Sequence, residues 1–220
     1  MPEKQTEAYR ADGKAFLEKT IDRYFAICRD SIKSVAPHRL YLGCRFISTD
    51  SVIPELSAAS KKYCDVLTVN IYAHSPANIG AETFPDMPVL IGEFHFGVLD
   101  RGMYSPGLCP VGVDQNDRAI AYTRFLQGAL LHPQIVGAHW FQYRDQPLTG
   151  RGDGERYQIG FVDVADTPYP EICRASREVG ENMYQYRLNG KPQNSMRSEA
   201  AAPEKAEKVV PAKDGTPLKR

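Results

Sequence analysis

The amino-acid sequence predicts an α/β fold built around a parallel β-sheet. Four short apolar runs, typical of buried strands, alternate with amphipathic segments that are typical of helices. Such alternation favours βαβ units, in which the chain crosses over and returns as a parallel strand. In parallel sheets, binding and catalytic residues collect beyond the carboxyl ends of the strands. We therefore expect the functional residues at those ends.

The first half of the chain is predicted as helix, strand, helix, strand. Residues 14–36 carry apolar side chains at spacings of three and four, and Pro37 ends this helix. The nearly continuous apolar run RLYLGCRFI at 39–47 predicts a strand that is buried on both faces. A second helix is predicted over 54–63, and the β-branched segment DVLTVNIY at 65–72 predicts the second strand.

The second half continues the pattern after a Pro- and Gly-containing connection. PVLIGEFHF at 88–96 predicts a third strand, which acquires charge towards its carboxyl end. After a long loop, Asp114 is a plausible N-cap for a helix to about residue 131, since an aspartate side chain can accept from the first free N–H groups. IVGAHWFQY at 135–143 predicts the fourth strand, and a last helix is predicted over about 170–186.

The end of the sequence differs in composition from the rest. Residues 189–220 contain no aromatic side chain and are dominated by Ala, Pro, Lys and Glu. Such a segment cannot bury enough apolar surface to offset the entropy that ordering costs. We therefore predict a folded domain over residues 1–188 and a disordered tail over 189–220.

Charge and cysteine content narrow the classes of function. The 220 residues include 27 Lys and Arg against 27 Asp and Glu, so a basic surface for nucleic acid or membrane lipids is not expected. No run reaches the roughly 18 apolar residues of a membrane helix. Five cysteines without a CxxC pair argue against a disulfide framework or a zinc site. The polar amino-terminal segment lacks the features of a signal peptide, and the compartment is left open.

Polar and aromatic residues follow the apolar strand bodies, and each has a functional and a structural interpretation. These residues are Arg45, Asn70, Tyr72, Glu93, His95, Trp140 and Gln142. A carboxylate in a strand expected to be buried is costly unless it is paired or functional, so Glu93 is the first candidate. Arg45 could bind substrate or simply pair with Glu93. Tyr72 could donate to a neighbouring carboxylate, and Trp140 could stack on a sugar or belong to the core.

The loop GRGDGE at 150–155 is not a phosphate-binding loop, because it lacks the GxxxxGK[ST] pattern. We interpret its Arg-Gly-Asp tripeptide as a chance occurrence. Asp145, Asp153 and Glu155 are further carboxylates near the expected mouth of the site. Loop structure is the first interpretation for these three residues, and contact with a substrate is the second.

Several segments in order resemble a known family of enzymes. They are YFAICRDSIKSVAPHRLYLGCRF, CDVLTVNIY, PVLIGEFHFGVLDRGMYSPG, HWFQYRDQP and TGRGDGERYQIGFVDVADTPYPE. Over residues 14–187 the sequence is similar to the C-terminal half of the β-agarases of glycoside hydrolase family 50. These belong to a large clan of retaining glycosidases with (β/α)₈ TIM barrels.

The resemblance implies roles for the residues at the strand ends. Glu93 in IGEFHFG matches the catalytic nucleophile, Tyr72 in VNIY the tyrosine that orients it, and Trp140 in HWFQYRDQP the floor of the sugar site. Arg45, Asn70, His95 and Gln142 are implied contacts to substrate hydroxyl groups. The four predicted strands would be strands five to eight of the barrel, acting on a galactan-type polysaccharide or oligosaccharide without a metal or organic cofactor.

One departure from the family pattern shapes the expectations. The clan's acid/base Glu follows an Asn on strand four, and no Asn-Glu pair occurs before Glu93. We therefore expect a truncated half-barrel with little activity alone. The parent family is often secreted or periplasmic.

Two alternatives to this interpretation stay open. One is a non-catalytic carbohydrate-binding or assembly module that forms a homodimer or complements a separate N-terminal half-barrel. The other is a β-galactosidase-like member of the same clan.

Overall fold

The fold is an α/β arrangement with one parallel sheet, as the sequence predicts. The computed structural model describes residues 6–77 and 79–190. The sheet has four strands in the order β1-β2-β3-β4, and every neighbouring pair is parallel. In chain order the elements are α1 (Glu7–Val35), β1 (Arg45–Phe46), α2 (Pro54–Tyr63), β2 (Leu67–Val69), β3 (Val89–Phe94), α3 (Gln115–Leu131), β4 (Ile135–Trp140) and α4 (Pro170–Asn189).

The register of the sheet gives it two chemically different faces. On the helix face, Phe46 is opposite Val69, Val69 is opposite Ile91, and Ile91 is opposite Ala138. The first three of these pack in the same hydrophobic core as residues of α1 and α3. On the other face, which we call the site face, the aligned residues are Arg45, Thr68, Leu90 and Gly137. Polar groups on the site face are therefore separated from the helical core by the sheet itself.

Capping explains where two helices begin. The helix predicted from residue 14 begins at Glu7, because the Thr6 hydroxyl accepts from the Tyr9 N–H at 3.2 Å. The extra turns are exposed, so they have no apolar stripe that sequence periodicity could detect. The predicted N-cap of α3 is confirmed, since the Asp114 carboxylate accepts from the N–H groups of Asn116 and Asp117 at 2.8 and 3.1 Å.

The strands are shorter than the apolar runs that predict them. The run at 39–47 yields a strand only at Arg45–Phe46, and the run at 65–72 yields one at Leu67–Val69. Tyr41 and Ile71 are buried although they lie outside these strands. Hydropathy reports burial, whereas a strand also requires a regular ladder of backbone hydrogen bonds. The apolar runs therefore mark the position of the sheet better than its ends.

The last helix extends to Asn189, three residues past its predicted end. Gly190 then ends it in the left-handed conformation with φ of 61°, and its N–H donates to the Tyr186 carbonyl at 2.9 Å. Asn189 and Gly190, the first two residues of the predicted tail, therefore belong to the helix and its cap, and residues 191–220 lie outside the described residues. Among the described helices, none has a stretch that is long and apolar enough to cross a membrane.

Candidate active site at the carboxyl ends of the strands

The Glu93 carboxylate is the centre of a polar cluster at the end of β3. Its Oε2 atom accepts hydrogen bonds from the Tyr72 hydroxyl at 2.6 Å and from Asn70 Nδ2 at 2.8 Å. Its Oε1 atom lies 2.8 Å from Nη2 of Arg45, and the Glu93 side chain is 13% exposed. The structure therefore brings together four of the seven predicted site residues. The carboxylate is held by two hydrogen-bond donors and by an ion pair with one cation.

Strand register explains why these residues converge. Arg45 is opposite Thr68, and side chains two residues apart along an extended chain share a face, so Asn70 and Tyr72 follow Thr68 on the site face. Gly92 completes the arrangement. A Cβ atom at this position would collide with the aliphatic part of Arg45 and lie 2.9 Å from Thr68 Cγ2. The absence of a side chain at Gly92 lets Arg45 cross the sheet to reach Glu93.

Tyr72 is suited to act as a hydrogen-bond donor. Burial raises the pKa of its hydroxyl, and the hydrogen bond to the Glu93 carboxylate together with that negative charge raises it further. The phenol therefore keeps its proton throughout the physiological pH range. Its O–H bond points to Glu93 Oε2, which fixes the rotamer of the carboxylate.

His95 has a different environment from the one predicted. It is 1% exposed, and its Nε2 atom accepts from the Leu108 N–H at 2.8 Å. Its ring centre lies 4.9 Å from that of Tyr72. A Cβ atom at Gly107 would lie 2.6 Å from the same Nε2, so the loop after β3 packs closely on the ring. We therefore revise the role of His95 from a substrate contact to an anchor that holds this loop beside Tyr72.

The burial of His95 leads to a pH prediction. Burial lowers its pKa from 6.5 to about 4, so between these values the unfolded chain binds a proton that the folded chain does not. This part of the stability is complete above pH 6.5 and is lost as the pH falls towards 4. We expect the free energy of unfolding to drop by about 2 kcal/mol between pH 7 and pH 5 in urea titrations followed by circular dichroism.

A matched pair of variants isolates this contribution. His38 is exposed, so His38→Gln should keep the full pH dependence. His95→Gln should flatten it between pH 5 and 6.5, where carboxylates remain mostly ionised. Identical pH profiles for the two variants would show that His95 does not titrate differently in the folded chain.

Trp140 lies on the helix face rather than the site face. Ala138, two residues earlier, is opposite Ile91 of the helix face. The Trp140 ring packs edge-on against Phe94, with 5.1 Å between the ring centres. The centre of the Trp140 ring also lies 5.4 Å from that of Tyr122 in α3. The Trp140 Nε1–H donates to the Ile159 carbonyl at 2.9 Å. Trp140 is thus partly buried and packs against the hydrophobic core, a position that does not favour its predicted role as the floor of a sugar site.

Phe141, directly after β4, is an aromatic neighbour of His95 that the sequence interpretation missed. Because side chains alternate along β4, Phe141 points away from the Trp140 side. Its ring centre lies 6.1 Å from that of His95. The alternation of side chains along an extended chain was the available signal, because it places Phe141 and Trp140 on opposite faces. Gln142 is half-exposed and donates from Nε2 to the Arg144 carbonyl at 3.0 Å, so it stays a predicted hydroxyl contact at the rim.

A buried arginine that the sequence interpretation also missed supports the loops around the site. Arg118 of α3 is fully buried, and it donates to the carbonyl groups of Phe96 and Gly160 and to Gln115 Oε1. Its guanidinium carbon lies 5.7 Å from the centre of the Trp140 ring. Arg118 thus ties the end of β3 to the loop after β4. Its position on the apolar stripe of α3 was the available signal.

Asp145 provides the main opposite charge near Arg118. Its Oδ2 accepts from the Tyr169 hydroxyl and its Oδ1 from the Gly160 N–H, each at 2.6 Å. Burial raises the pKa of Asp145, while these hydrogen bonds and the charge of Arg118 oppose the rise. Asp145 is therefore part of the framework of the loop after β4, as the first of its two interpretations predicted.

Metal binding has no ready ligand set in this part of the chain. Within residues 6–77 and 79–190, no three His, Cys, Asp or Glu side chains come together in a way that could hold a metal ion.

Comparison with known proteins identifies relatives of the chain. No family model matches it. It is 39% identical over 184 residues to β-agarase B of Vibrio sp. (strain JT0107), covering 81% of this chain and 19% of that protein. It is 41% identical over 170 residues to β-agarase A of the same strain, covering 74% of this chain and 17% of that protein. The chain thus spans about a fifth of the length of these curated relatives.

Solved structures of agarases also superpose on this chain. An exo-β-agarase superposes with a TM-score of 0.75 at 41% identity, covering 85% of this chain and 25% of that one. A second agarase superposes with a TM-score of 0.75 at 37% identity, covering 86% of this chain and 27% of that one. The similarity in sequence and the similarity in structure cover nearly the whole described region.

Proposed function

Because this chain is homologous to one segment of the β-agarases, we propose that it carries the nucleophile side of a retaining, agarase-type glycoside hydrolase site. The single observation that carries the proposal is the environment of Glu93. A structural ion pair would need only Arg45, yet Tyr72 and Asn70 both donate to the other carboxylate oxygen. Such orientation of a carboxylate at a strand end suits a nucleophile that attacks from one direction.

In the proposed reaction, a carboxylate oxygen of Glu93 attacks the anomeric carbon of a galactan chain. The bond from that carbon to the leaving sugar oxygen breaks, and a glycosyl ester of Glu93 forms. Tyr72 and Asn70 hold the carboxylate in place, while Arg45 pairs with its other oxygen. Water then attacks the anomeric carbon from the face that the leaving sugar occupied and displaces Glu93. The two displacements together retain the configuration at that carbon.

A retaining mechanism also needs a second carboxyl group about 5–5.5 Å from the nucleophile. It protonates the departing oxygen and later activates the water. No Asn-Glu pair, the pattern that carries the acid/base Glu in the family this sequence resembles, precedes Glu93 in the sequence. We therefore propose that the acid/base carboxylate comes from a segment outside the described residues.

We further propose that the sheet corresponds to strands five to eight of a (β/α)₈ barrel. The helices pack on one face of the sheet, and the polar cluster lies at the carboxyl ends of the strands, as in a barrel. Within the described residues, β1 and β4 each pair with only one strand. An open edge favours pairing with further strands. A complementing half-barrel, or a second copy of this chain, would supply them.

The leaving group provides the test. We expect the full chain to cleave 2,4-dinitrophenyl β-galactoside slowly, because a dinitrophenolate departs without being protonated. An agarose-derived tetrasaccharide should be cleaved far more slowly or not at all, because its alkoxide needs the missing acid. Release of dinitrophenolate is followed by absorbance, and tetrasaccharide products by chromatography.

Two outcomes would contradict parts of the proposal. Rapid cleavage of the tetrasaccharide would show that the chain alone provides the acid/base group. Binding of the tetrasaccharide without any turnover of the aryl galactoside would favour a carbohydrate-binding module instead. This second function is suggested by the absence of an Asn-Glu pair before Glu93 in the sequence.

A further inference from the structure

The loop after β4 contains a second carboxylate that faces the same region as Glu93. Arg151 in this loop lies over the Phe141 ring at 5.8 Å. The Phe141 ring is 6.1 Å from that of His95, which is in turn 4.9 Å from Tyr72. These contacts form a continuous path from the loop to the hydroxyl that binds Glu93. The glycine-rich segment at 150–155 is thus one wall of the site.

Within this wall, Glu155 is held by a buried side chain. Its Oε2 atom accepts from Gln146 Nε2 at 2.7 Å and lies 3.3 Å from Nη1 of Arg151. Gln146 is fully buried, and its Oε1 atom accepts from the Tyr157 N–H at 2.8 Å. The amide nitrogen of Gln146 thus binds the Glu155 carboxylate, and its amide oxygen holds the backbone two residues further along the loop. A carboxylate with no function beyond solubility would not need a buried glutamine to orient it.

Glu155 nevertheless remains accessible. Its side chain is 28% exposed. A Cβ atom added at Gly152 or at Gly154 would meet nothing within 4 Å, so the loop tip borders open space. The negative charge of Glu155 also reaches Tyr72, where it contributes to raising the pKa of the hydroxyl. The carboxylate is thus pre-oriented, open to a ligand, and electrostatically coupled to the Glu93 cluster.

This combination fits a neutral sugar. A carboxylate accepts strong hydrogen bonds from sugar hydroxyl groups, and an aromatic ring such as Phe141 offers an apolar surface for the C–H groups of the same ring. We propose that Glu155 is a specificity-determining residue that accepts hydrogen bonds from hydroxyl groups of a galactan sugar lying against Glu93. The inference rests on the proposed function, since it assumes that sugars bind at this site.

Calorimetric titration of the full chain with an agarose-derived tetrasaccharide tests the role. We expect Glu155→Gln to weaken binding by about ten- to a hundredfold, because a hydrogen bond to a charged acceptor is replaced by a weaker one. Glu178→Gln is the matched control. Glu178 is exposed on α4, and the substitution removes the same charge outside the loop after β4. It should change affinity by less than about twofold.

The outcomes separate the two proposals. Binding by the unmodified chain with loss in Glu155→Gln supports both. Unchanged binding in Glu155→Gln overturns the role of Glu155 and leaves the proposed function intact. If the unmodified chain binds no tetrasaccharide, the proposed function and this inference fail together. Circular dichroism melting checks folding. If Glu155→Gln does not fold, Glu155→Asp replaces it. This variant keeps the negative charge on a side chain that is one methylene shorter, and it must show the loss of affinity.

Discussion

Replacing Glu93 by glutamine is expected to lower the rate of cleavage of 2,4-dinitrophenyl β-galactoside by about a thousandfold or more. Glutamine keeps the shape of the side chain and can still accept from Tyr72, but its amide oxygen is a poor nucleophile. No glycosyl ester can then form at a useful rate. The loss should fall on turnover and leave tetrasaccharide affinity within a fewfold, because sugar contacts outside Glu93 are kept.

Glu178 provides the control for this substitution. It is exposed on α4, away from the strand ends, so Glu178→Gln should retain the full rate. If Glu93→Gln retained more than a tenth of the activity, another group would have to be the nucleophile.

Replacing Arg118 by methionine is expected to lower the free energy of unfolding by about 3–5 kcal/mol. Methionine fills much of the volume but leaves the carbonyl groups of Phe96 and Gly160 without their donor. It also leaves the buried Asp145 without its nearest positive charge. Burial lowers the pKa of Arg118 to about 10, because the nearby negative charges only partly offset the loss of solvation.

Urea unfolding measures this effect. Arg124 lies on the same helix and is exposed, so Arg124→Met should change stability by less than about 0.5 kcal/mol. A loss below about 1 kcal/mol in Arg118→Met would mean that the loop after β4 is held by its other contacts.

The polar cluster was predictable because of a general property of parallel sheets. Carboxyl ends of adjacent strands meet at one edge, so Arg45, Tyr72 and Glu93 had to approach one another once the strands were placed. Their hydrogen bonds also depended on Gly92, whose missing side chain lets Arg45 reach across. That contribution is visible only in three dimensions.

Trp140 and His95 lie in surroundings that the sequence interpretation did not anticipate. The pairing between β3 and β4 shifts between Ile91 and Phe94, and hydropathy cannot reveal which residue of β4 then faces the site. Trp140 consequently points to the helices and Phe141 to the site. His95 is buried by the long loop after β3, and the path of such a loop is set by tertiary contacts. Arg118 lies on the apolar stripe of α3, but two of its three hydrogen-bond partners are backbone carbonyl groups that the sequence does not place.

The central claim is that Glu93 is a glycosidase nucleophile, and covalent trapping tests it most directly. A 2-deoxy-2-fluorogalactosyl fluoride glycosylates a nucleophile without needing an acid, because fluoride leaves unprotonated, and the 2-fluoro group slows hydrolysis of the ester. Mass spectrometry of the digested chain should find one fluorosugar on Glu93 and none in Glu93→Gln. Labelling at another carboxylate, or no labelling at a concentration that saturates binding, would contradict a nucleophilic role for Glu93.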